Sequence, residues 1–301
     1  MEELNQLRIA ARNRFLLYIS LFGGLTIAVV VMSRHFFMLP FLLVFGFVFS
    51  AVLSSGPYKR YRTAFKAAFV ERSLRSAFTS LYYEPSQGIS YDTIAATKMM
   101  YMGDRFHSED YVHASYRDVR FEQSDVHIQD EHHSTDSKGH SSTHYVTIFR
   151  GRWMIFDFNK EFRAKVQIVQ KGFPTAKRKR FFGKKETLFQ KVETESETFN
   201  QQFQVYAQNE HDAFYILTPA FMERVQNLTA HNKGKLMFCF IGNRLHIAIN
   251  DNKDSFEPGS IFKPIDEEKA TRKIREEIEG ITQFIDELSL DNDLFVQEKN
   301  N

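Results

Sequence analysis

The chain has 301 residues, and its 39 Lys and Arg against 37 Asp and Glu leave a formal net charge of +2. A balance this close to zero gives no whole-protein argument for nucleic acid, which is therefore not predicted as a partner. The single cysteine, Cys239, lies in an apolar run. A lone thiol of this kind is expected to be inert packing, and the chain needs no oxidising compartment.

Two uncharged apolar runs occupy residues 15–33 and 36–53, with only Arg34 and His35 between them. As helices, each would cross the roughly 30 Å hydrocarbon core of a bilayer. A cleaved signal peptide fits the first run poorly, because the run exceeds the usual apolar length of ~7–15 residues and lacks a cleavage site. Residues 1–57 are therefore predicted to form a transmembrane helical hairpin.

Small residues are expected to bring the two helices of the hairpin together, since they allow close approach of backbones in lipid. Gly23 and Gly24 supply them on the first run, and Gly46, Ser50 and Ser54 on the second. Neither run contains Asp, Glu, Lys or Arg, which argues against a conduction path.

Cations lie mainly outside the pair of runs rather than between them. They are Arg8, Arg12, Arg14, Lys59, Arg60, Arg62, Lys66, Arg72 and Arg75. Because Lys and Arg collect on the cytoplasmic side of membrane spans, both termini are predicted to be cytoplasmic. The predicted location is a multi-pass protein of the cell membrane.

The rest of the chain reads as an α+β domain over residues 58–290 with an antiparallel sheet and flanking helices, followed by a flexible tail at 291–301. A basic helix is predicted for residues 58–82, and a polar loop for 129–143. Apolar and polar residues alternate over 162–168, which indicates a half-buried strand. Residues 147–158 have large side chains at both odd and even positions. This pattern favours a strand that is buried on both faces of the sheet.

Four elements are predicted nearer the C-terminus. Residues 213–217 read as a strand, and Thr218 with Pro219 reads as the start of a helix. Residues 235–241 and 244–249 read as a hairpin across Gly242 and Asn243. Residues 266–289 have the apolar spacing of an amphipathic helix.

Several motifs in this region resemble a bacterial membrane family, domain-of-unknown-function family 3137. They read FRGRW at residues 149–153, FDFNK at 156–160 and YILTPAFMER at 215–224. Shorter segments fit in the same order, VY at 205–206, LHIAI at 245–249 and FEP at 256–258. The resemblance covers roughly residues 58–258, and the paired N-terminal runs resemble family members too.

The resemblance implies a protein of the bacterial inner membrane with no assigned activity. It provides no catalytic residues, and no cofactor is predicted. Members often occur beside proteins of the LemA family, which are themselves membrane-linked helical proteins. The implied partners are membrane lipid and a LemA-like or other membrane protein, with a homodimer as an open alternative.

A histidine-rich stretch is the weak candidate for a metal site. It contains His127, His132, His133, His140 and His144, with Asp130, Glu131 and Asp136 among them. Imidazole and carboxylate suit Zn²⁺ or a similar metal. However, the spacing matches no compact motif, and a polar loop loses much entropy on ordering, so a solvated loop is the favoured interpretation.

An enzyme is the second interpretation of the chain, and it would use a pocket near Trp153, Asp157 and Lys160. No nucleophile elbow, Walker loop or dinucleotide fingerprint appears in the sequence. An ion pair at the end of a strand is the favoured account of Asp157. No catalytic residue is therefore assigned.

A basic loop is a stronger candidate for lipid or acidic-partner contact. It combines six cations with two aromatic residues, in Lys177, Arg178, Lys179, Arg180, Phe181, Phe182, Lys184 and Lys185. Near an anionic leaflet, each cation contributes about 1 kcal/mol. The alternative is a solvated loop with both phenylalanines turned into the core.

The C-terminal helix carries a seam with 4-3-4-3 spacing, formed by Ile274, Ile278, Ile281, Ile285 and Leu288. Two heptads are too few to indicate an independent coiled coil. A helix docked on its own domain is the favoured interpretation, and a seam for a helical partner is the alternative. The leading functional hypothesis is a membrane-anchored interaction or scaffold protein without a reaction, ahead of an enzyme and of a metal-binding module.

Overall fold

The structure of the chain is a computed structural model, and it describes residues 1–34, 36–135, 141–174, 189–288 and 290, with the backbone alone for 158–164. Two compact units divide the chain. The first contains Met1–Ser73 and Phe256–Glu276, and the second contains Leu74–Ser255 and the chain from Glu277 on. The first unit therefore includes more than the predicted hairpin, because the segments 58–73 and 256–276 pack with the apolar helices.

The first unit is helical. Its elements are α1 at Glu2–Ser33, a 3-10 turn at Phe36–Met38, α2 at Leu39–Leu53, α3 at Ser55–Phe65 and a π-helical turn at Lys66–Glu71. α1 and the stretch Phe36–Leu53 are long and apolar enough to cross a membrane. Arg34 ends α1 in the left-handed conformation (φ 56°), which turns the chain toward the next helix.

Small residues allow close approach of α1 and α2 on only one side of the hairpin. A Cβ at Gly46 would lie 3.1 Å from the Cβ of Phe22, whereas Gly23 and Gly24 have no neighbouring atom within 4 Å. Ser50 is fully buried, and its hydroxyl donates to the carbonyl of Gly46 at 2.6 Å. The expected close approach is therefore present at Gly46, and within the described residues no such contact exists at Gly23 or Gly24.

The second unit contains seven strands within its described residues. Its elements are α4 at Arg72–Ala77, β1 at Thr79–Glu84, α5 at Tyr91–Ala95, β2 at Arg105–Tyr116, β3 at Val119–Thr135, β4 at Ser141–Gln170, β5 at Gln190–Val192, α6 at Glu197–Gln202, β6 at Phe203–Ala207, α7 at Glu210–Ile216, α8 at Pro219–His231, β7 at Lys235–Asn250 and α9 at Glu267–Leu288. Residues of α4 before Leu74 and of α9 before Glu277 belong to the first unit. The predicted α+β class is confirmed.

The strands form one antiparallel sheet around β4. Its first half pairs with β3 and β7, and its second half pairs with β6 and β7. The order β1-β2-β3-β4-β6-β5 completes the sheet. Successive chain segments therefore pair mostly as neighbours, as short antiparallel connections favour.

Two sequence predictions of local structure have wrong element boundaries. The predicted helix 58–82 ends at Ala77, because the β-prone run from Thr79 pairs with β2. The polar stretch 129–143 continues β3 and β4 to the pair Thr135 and Ser141. Side-chain hydrogen bonds such as Ser134–Ser142 (2.7 Å) link the strands there.

The predicted hairpin at Gly242 and Asn243 is instead a single strand, β7. A tight hairpin of this type needs positive φ at both central residues, and only Gly242 has it, at 58°. Gly242 lies opposite Phe162, where the register of β4 is irregular on both sides. The glycine therefore marks an irregularity in a continuous strand pair rather than a reversal.

Residues 213–216 form the second half of helix α7 rather than a strand, and Leu217 follows its end. The side chain of Asn209 accepts from the backbone of His211 at 3.0 Å and caps the helix. A short apolar run cannot distinguish strand from helix, and the cap decided the outcome here. The predicted start of α8 is confirmed, since Thr218 accepts from the backbone N–H of Phe221 at 3.2 Å.

Both faces of β4 are buried, as predicted. Trp153 and Ile155 join one apolar cluster with Ile89, Ile94 and the methionines of residues 99–102. The opposite face carries Met154 and Phe156, which are fully buried. Arg152 shares that face and donates to the carbonyl of Glu277 at 3.1 Å, so α9 covers this side of the sheet.

Candidate functional site

The basic loop from Lys177 to Lys185 lies outside the described residues. Its predicted contact with lipid or an acidic partner stays a prediction. His140 of the histidine stretch and the predicted tail at 291–301 also lie outside the described residues.

The apolar seam of α9 is buried. Its five residues are between 0% and 5% exposed. Arg224 donates to the carbonyl of Leu288 at 3.2 Å, and Arg117 pairs with Asp286 at 2.9 Å, so side chains of the domain hold the end of the helix. This placement corresponds to a helix docked on its own domain, and a helical partner could use the seam only if α9 separated from the sheet.

The histidines lie along the β3–β4 ribbon. The rings of His132 and His144 stack at 5.4 Å, while His127 and His133 contact threonine hydroxyls. Asp130 and Glu131 lie 3.4 and 3.3 Å from His132 and His133. Within the described residues, these groups do not form a set of three or more converging metal donors.

Trp153 and Asp157 both lie on β4 and are four positions apart, which is about 13 Å along an extended strand. The indole of Trp153 is fully buried and donates to Nδ1 of His246 at 3.2 Å, and burial lowers the pKa of His246 to about 3. Trp153 and His246 therefore form a hydrogen bond between two uncharged side chains in the core. The side chain of Lys160 lies outside the described residues.

Asp157 makes ion pairs, as its favoured interpretation predicted. Arg120 approaches one carboxylate oxygen at 3.4 Å, and Arg244 approaches the other at 3.5 Å. Arg244 also pairs with Glu122 at 3.1 Å. This network ties β3, β4 and β7 together across the sheet.

Cys239 is a buried thiol, as predicted. It is fully buried, and burial raises its pKa to about 12. The thiolate is therefore disfavoured at neutral pH, and a nucleophilic role has no support.

The segment that follows Phe256 contacts the N-terminal helices of the first unit. Arg8, which is 4% exposed, donates to the carbonyl of Ile261 at 2.7 Å. The ring of Phe262 meets Phe15 edge to face at 5.9 Å, and Phe15 meets Phe47 at the same distance. Phe262 is nevertheless 50% exposed. An exposed aromatic side chain thus extends the apolar surface of the two long helices.

An ion cluster lies at the start of the same segment. Glu257 pairs with Lys66 at 2.8 Å and also accepts from Arg62. The Lys66 side chain is only 2% exposed. Burial raises the pKa of Glu257, but hydrogen bonds from Arg62 and Lys66 outweigh it and hold that pKa below its ordinary value. The two cations therefore keep Glu257 ionised in the folded unit.

Sequence analysis missed a group of acidic side chains in the second unit. Glu109, Asp110 and Asp254 each offer a carboxylate oxygen, and these oxygens lie within 4.8 Å of one another. The register of β2 shifts between Glu109 and Val112, and Asp110 has a positive φ of 58°. The adjacent acids in a strand were a weak signal in the sequence, but their approach to Asp254 depends on the fold.

These elements define a class of protein, in which an α+β domain accompanies two helices long and apolar enough to cross a membrane. Residues 147–290 match the family described as "Protein of unknown function (DUF3137)". The resemblance seen in the motifs is thereby confirmed over this part of the chain. The match reaches α9 and does not include residues 58–146.

Two further comparisons add little. No curated protein matches the chain. Among solved structures, the chain is similar to the crystal structure of the mycobacterial trehalose monomycolate transport factor A, TtfA, at 11% identity, over 72% of this chain and 91% of that chain, with a TM-score of 0.36. A likeness at this level carries no argument about function.

Proposed function

We propose that α1 and α2 anchor the protein in a bacterial cell membrane and that the α+β domain lies on the cytoplasmic face. There it would bind a protein partner, anionic lipid or both, and it would act as an interaction or scaffold protein rather than as an enzyme. The proposed protein partner is a LemA-like protein, which the family resemblance suggests, or a second copy of the chain.

The observation that carries the proposal is the exposed apolar surface of the two helices. Only 11% of the apolar stretch of each helix is buried. Large apolar side chains that are at least 54% exposed cover the outside, among them Leu17, Leu21, Leu25, Ile27, Val31, Phe41, Phe45, Val48 and Val52. A surface this apolar marks a membrane or an interaction site, and two helices of spanning length favour the membrane.

The charge distribution supports cytoplasmic termini. Arg12 and Arg14 of α1, with Lys59 and Arg60 of α3, lie beyond one end of the apolar pair. The connection at the other end contains Arg34 and His35. The excess of cations at the first end favours its placement on the cytoplasmic side.

The orientation can be tested in living cells. We expect a C-terminal fluorescent fusion to mature and a C-terminal alkaline phosphatase fusion to stay inactive. An Arg34→Cys variant should react with a membrane-impermeant maleimide in intact cells. The unaltered chain is the control, because Cys239 is fully buried. Active phosphatase at the C-terminus, or label at position 34 only after lysis, would contradict this orientation.

The exposed ring of Phe262 supports a lipid contact by the segment after Phe256. It extends the aromatic contacts of Phe15 and Phe47, and Lys263 follows it in the sequence. Aromatic rings favour the membrane interface, and cations favour its anionic headgroups. The predicted contact of the loop Lys177–Lys185 would add to the same surface.

We expect a Phe262→Trp variant in nanodiscs to be quenched by lipids brominated on their acyl chains. Native Trp153 also emits, but brominated acyl chains should not reach it, because it is fully buried in the core. The matched control is Tyr82→Trp, because Tyr82 is 50% exposed, as Phe262 is. Equal quenching of both variants, or none of Phe262→Trp, would remove the support for this contact.

A further inference from the structure

Three carboxylates meet in the second unit, and a fourth acid lies opposite one of them in the sheet. Glu109, Asp110 and Asp254 supply oxygens within 4.8 Å of one another. Asp125 lies directly opposite Glu109 in the pairing of β2 and β3. Residues paired in this way point to the same face of the sheet. The four acids therefore come from two adjacent strands and from the segment after β7.

The state of Asp125 is unusual for a structural aspartate. It is 5% exposed, and its Oδ2 accepts a hydrogen bond from the backbone N–H of Ser255. Its other oxygen, Oδ1, has no hydrogen-bond partner within the described part of the chain. A buried carboxylate oxygen without a partner costs free energy, and a bound cation is one means of satisfying it.

Electrostatics relates Asp125 to the other acids. Burial is the main cause that raises the pKa of Asp125 to about 8; Asp110 and Asp254 raise it further, and Arg152 opposes the rise. Arg150 lies 3.2 Å from Asp254 and offsets some of the negative charge. Repulsion from Asp110 and Asp254 is thus felt at the Asp125 carboxyl group.

We propose that Glu109, Asp110, Asp125 and Asp254 bind a hard divalent cation of the Ca²⁺ or Mg²⁺ class. All four donors are carboxylates, which these ions prefer, and no thiolate or imidazole belongs to the group. Zn²⁺ is disfavoured for the same reason. None of the four is among the candidate ligands of the histidine stretch, and the site would make the stability of the sheet depend on the cation.

The test uses the full chain in nanodiscs of zwitterionic lipid, so that anionic headgroups do not bind the probe. Ca²⁺ and Mg²⁺ alone are titrated by calorimetry, and the thermal midpoint is followed in parallel. We expect saturable binding of at least one of the two ions below about 1 mM. The thermal midpoint should rise with the concentration of that ion, because it binds only the folded state.

Variants then assign the site. We expect Asp125→Asn and Asp110→Asn each to weaken binding at least about tenfold, since each replaces a carboxyl ligand by an amide that cannot become negatively charged. Glu109→Gln is the second choice if Asp110→Asn fails to fold, because Glu109 is half-buried. Glu195→Gln is the matched control, since it removes one exposed acid elsewhere and should leave binding unchanged.

The result that overturns the proposal is equally specific. Absence of saturable binding by the unaltered chain would show that the acids do not bind either ion. Binding that survives in both Asp125→Asn and Asp110→Asn would place the ion elsewhere. Loss of binding in Glu195→Gln as well would show a nonspecific effect of charge.

Discussion

Replacement of Ile278 and Ile285 by aspartate is expected to abolish the cooperative thermal transition of the α+β domain. Ile278 is 5% exposed and Ile285 is fully buried, and α9 covers the face of the sheet that carries Met154 and Phe156. Loss of a buried Ile side chain costs about 2–5 kcal/mol, and an unpaired buried carboxylate adds to that cost. Two such changes approach the whole stability of a typical domain, about 5–15 kcal/mol.

Fluorescence of the buried Trp153 during heating in detergent would measure this effect. Ile285→Val is the conservative comparison, with an expected cost of about 0.5–1.5 kcal/mol. Glu279→Ala changes an exposed position of the same helix and should leave the transition in place. A double aspartate variant that unfolds normally but loses an oligomer or a co-purified protein would show instead that the seam binds a partner.

Replacement of Glu257 by glutamine is expected to destabilise the first unit by about 3–5 kcal/mol. The change leaves the almost fully buried Lys66 without its carboxylate at 2.8 Å, and the breaking of a buried ion pair has a cost of this size. The expected consequence is faster cleavage by protease in the segment 256–266. Lys59→Met provides the control, because it removes an exposed cation from α3.

A second variant distinguishes charge from packing. Lys66→Met in the Glu257→Gln background removes both members of the buried pair, and such replacements are often neutral or stabilising. We therefore expect protease resistance to recover in part. Equal cleavage of the single and double variants would show that the loss arose from packing alone.

The same ion cluster predicts a dependence on pH. The pKa of Glu257 is lowered in the folded unit, so its contribution is present above the pKa of the unfolded chain. It is lost as the pH falls through the lowered folded value. Denaturant titrations between pH 7 and pH 3 should show a smaller loss of stability for Glu257→Gln than for the unaltered chain.

Local signals in the sequence were sufficient for several features. The two apolar runs and the 4-3-4-3 spacing of α9 predicted helices that the structure contains. The cap at Thr218 was also predicted, because helix starts depend on side chains within a few residues. The motifs of residues 149–258 were sufficient to indicate the family, because each is a short run of adjacent residues.

Tertiary structure decided the features that depend on distant residues. Gly242 lies within one strand because β4 continues alongside it, whereas its sequence is also compatible with a hairpin. Glu257 meets Lys66, and Asp254 meets Asp110, across separations of well over a hundred residues. The sequence determined the apolar helices and the faces of the long elements, since these follow from local periodicity. Only the packed chain brought together the buried charges, because their positions depend on strand register and on which segments each unit contains.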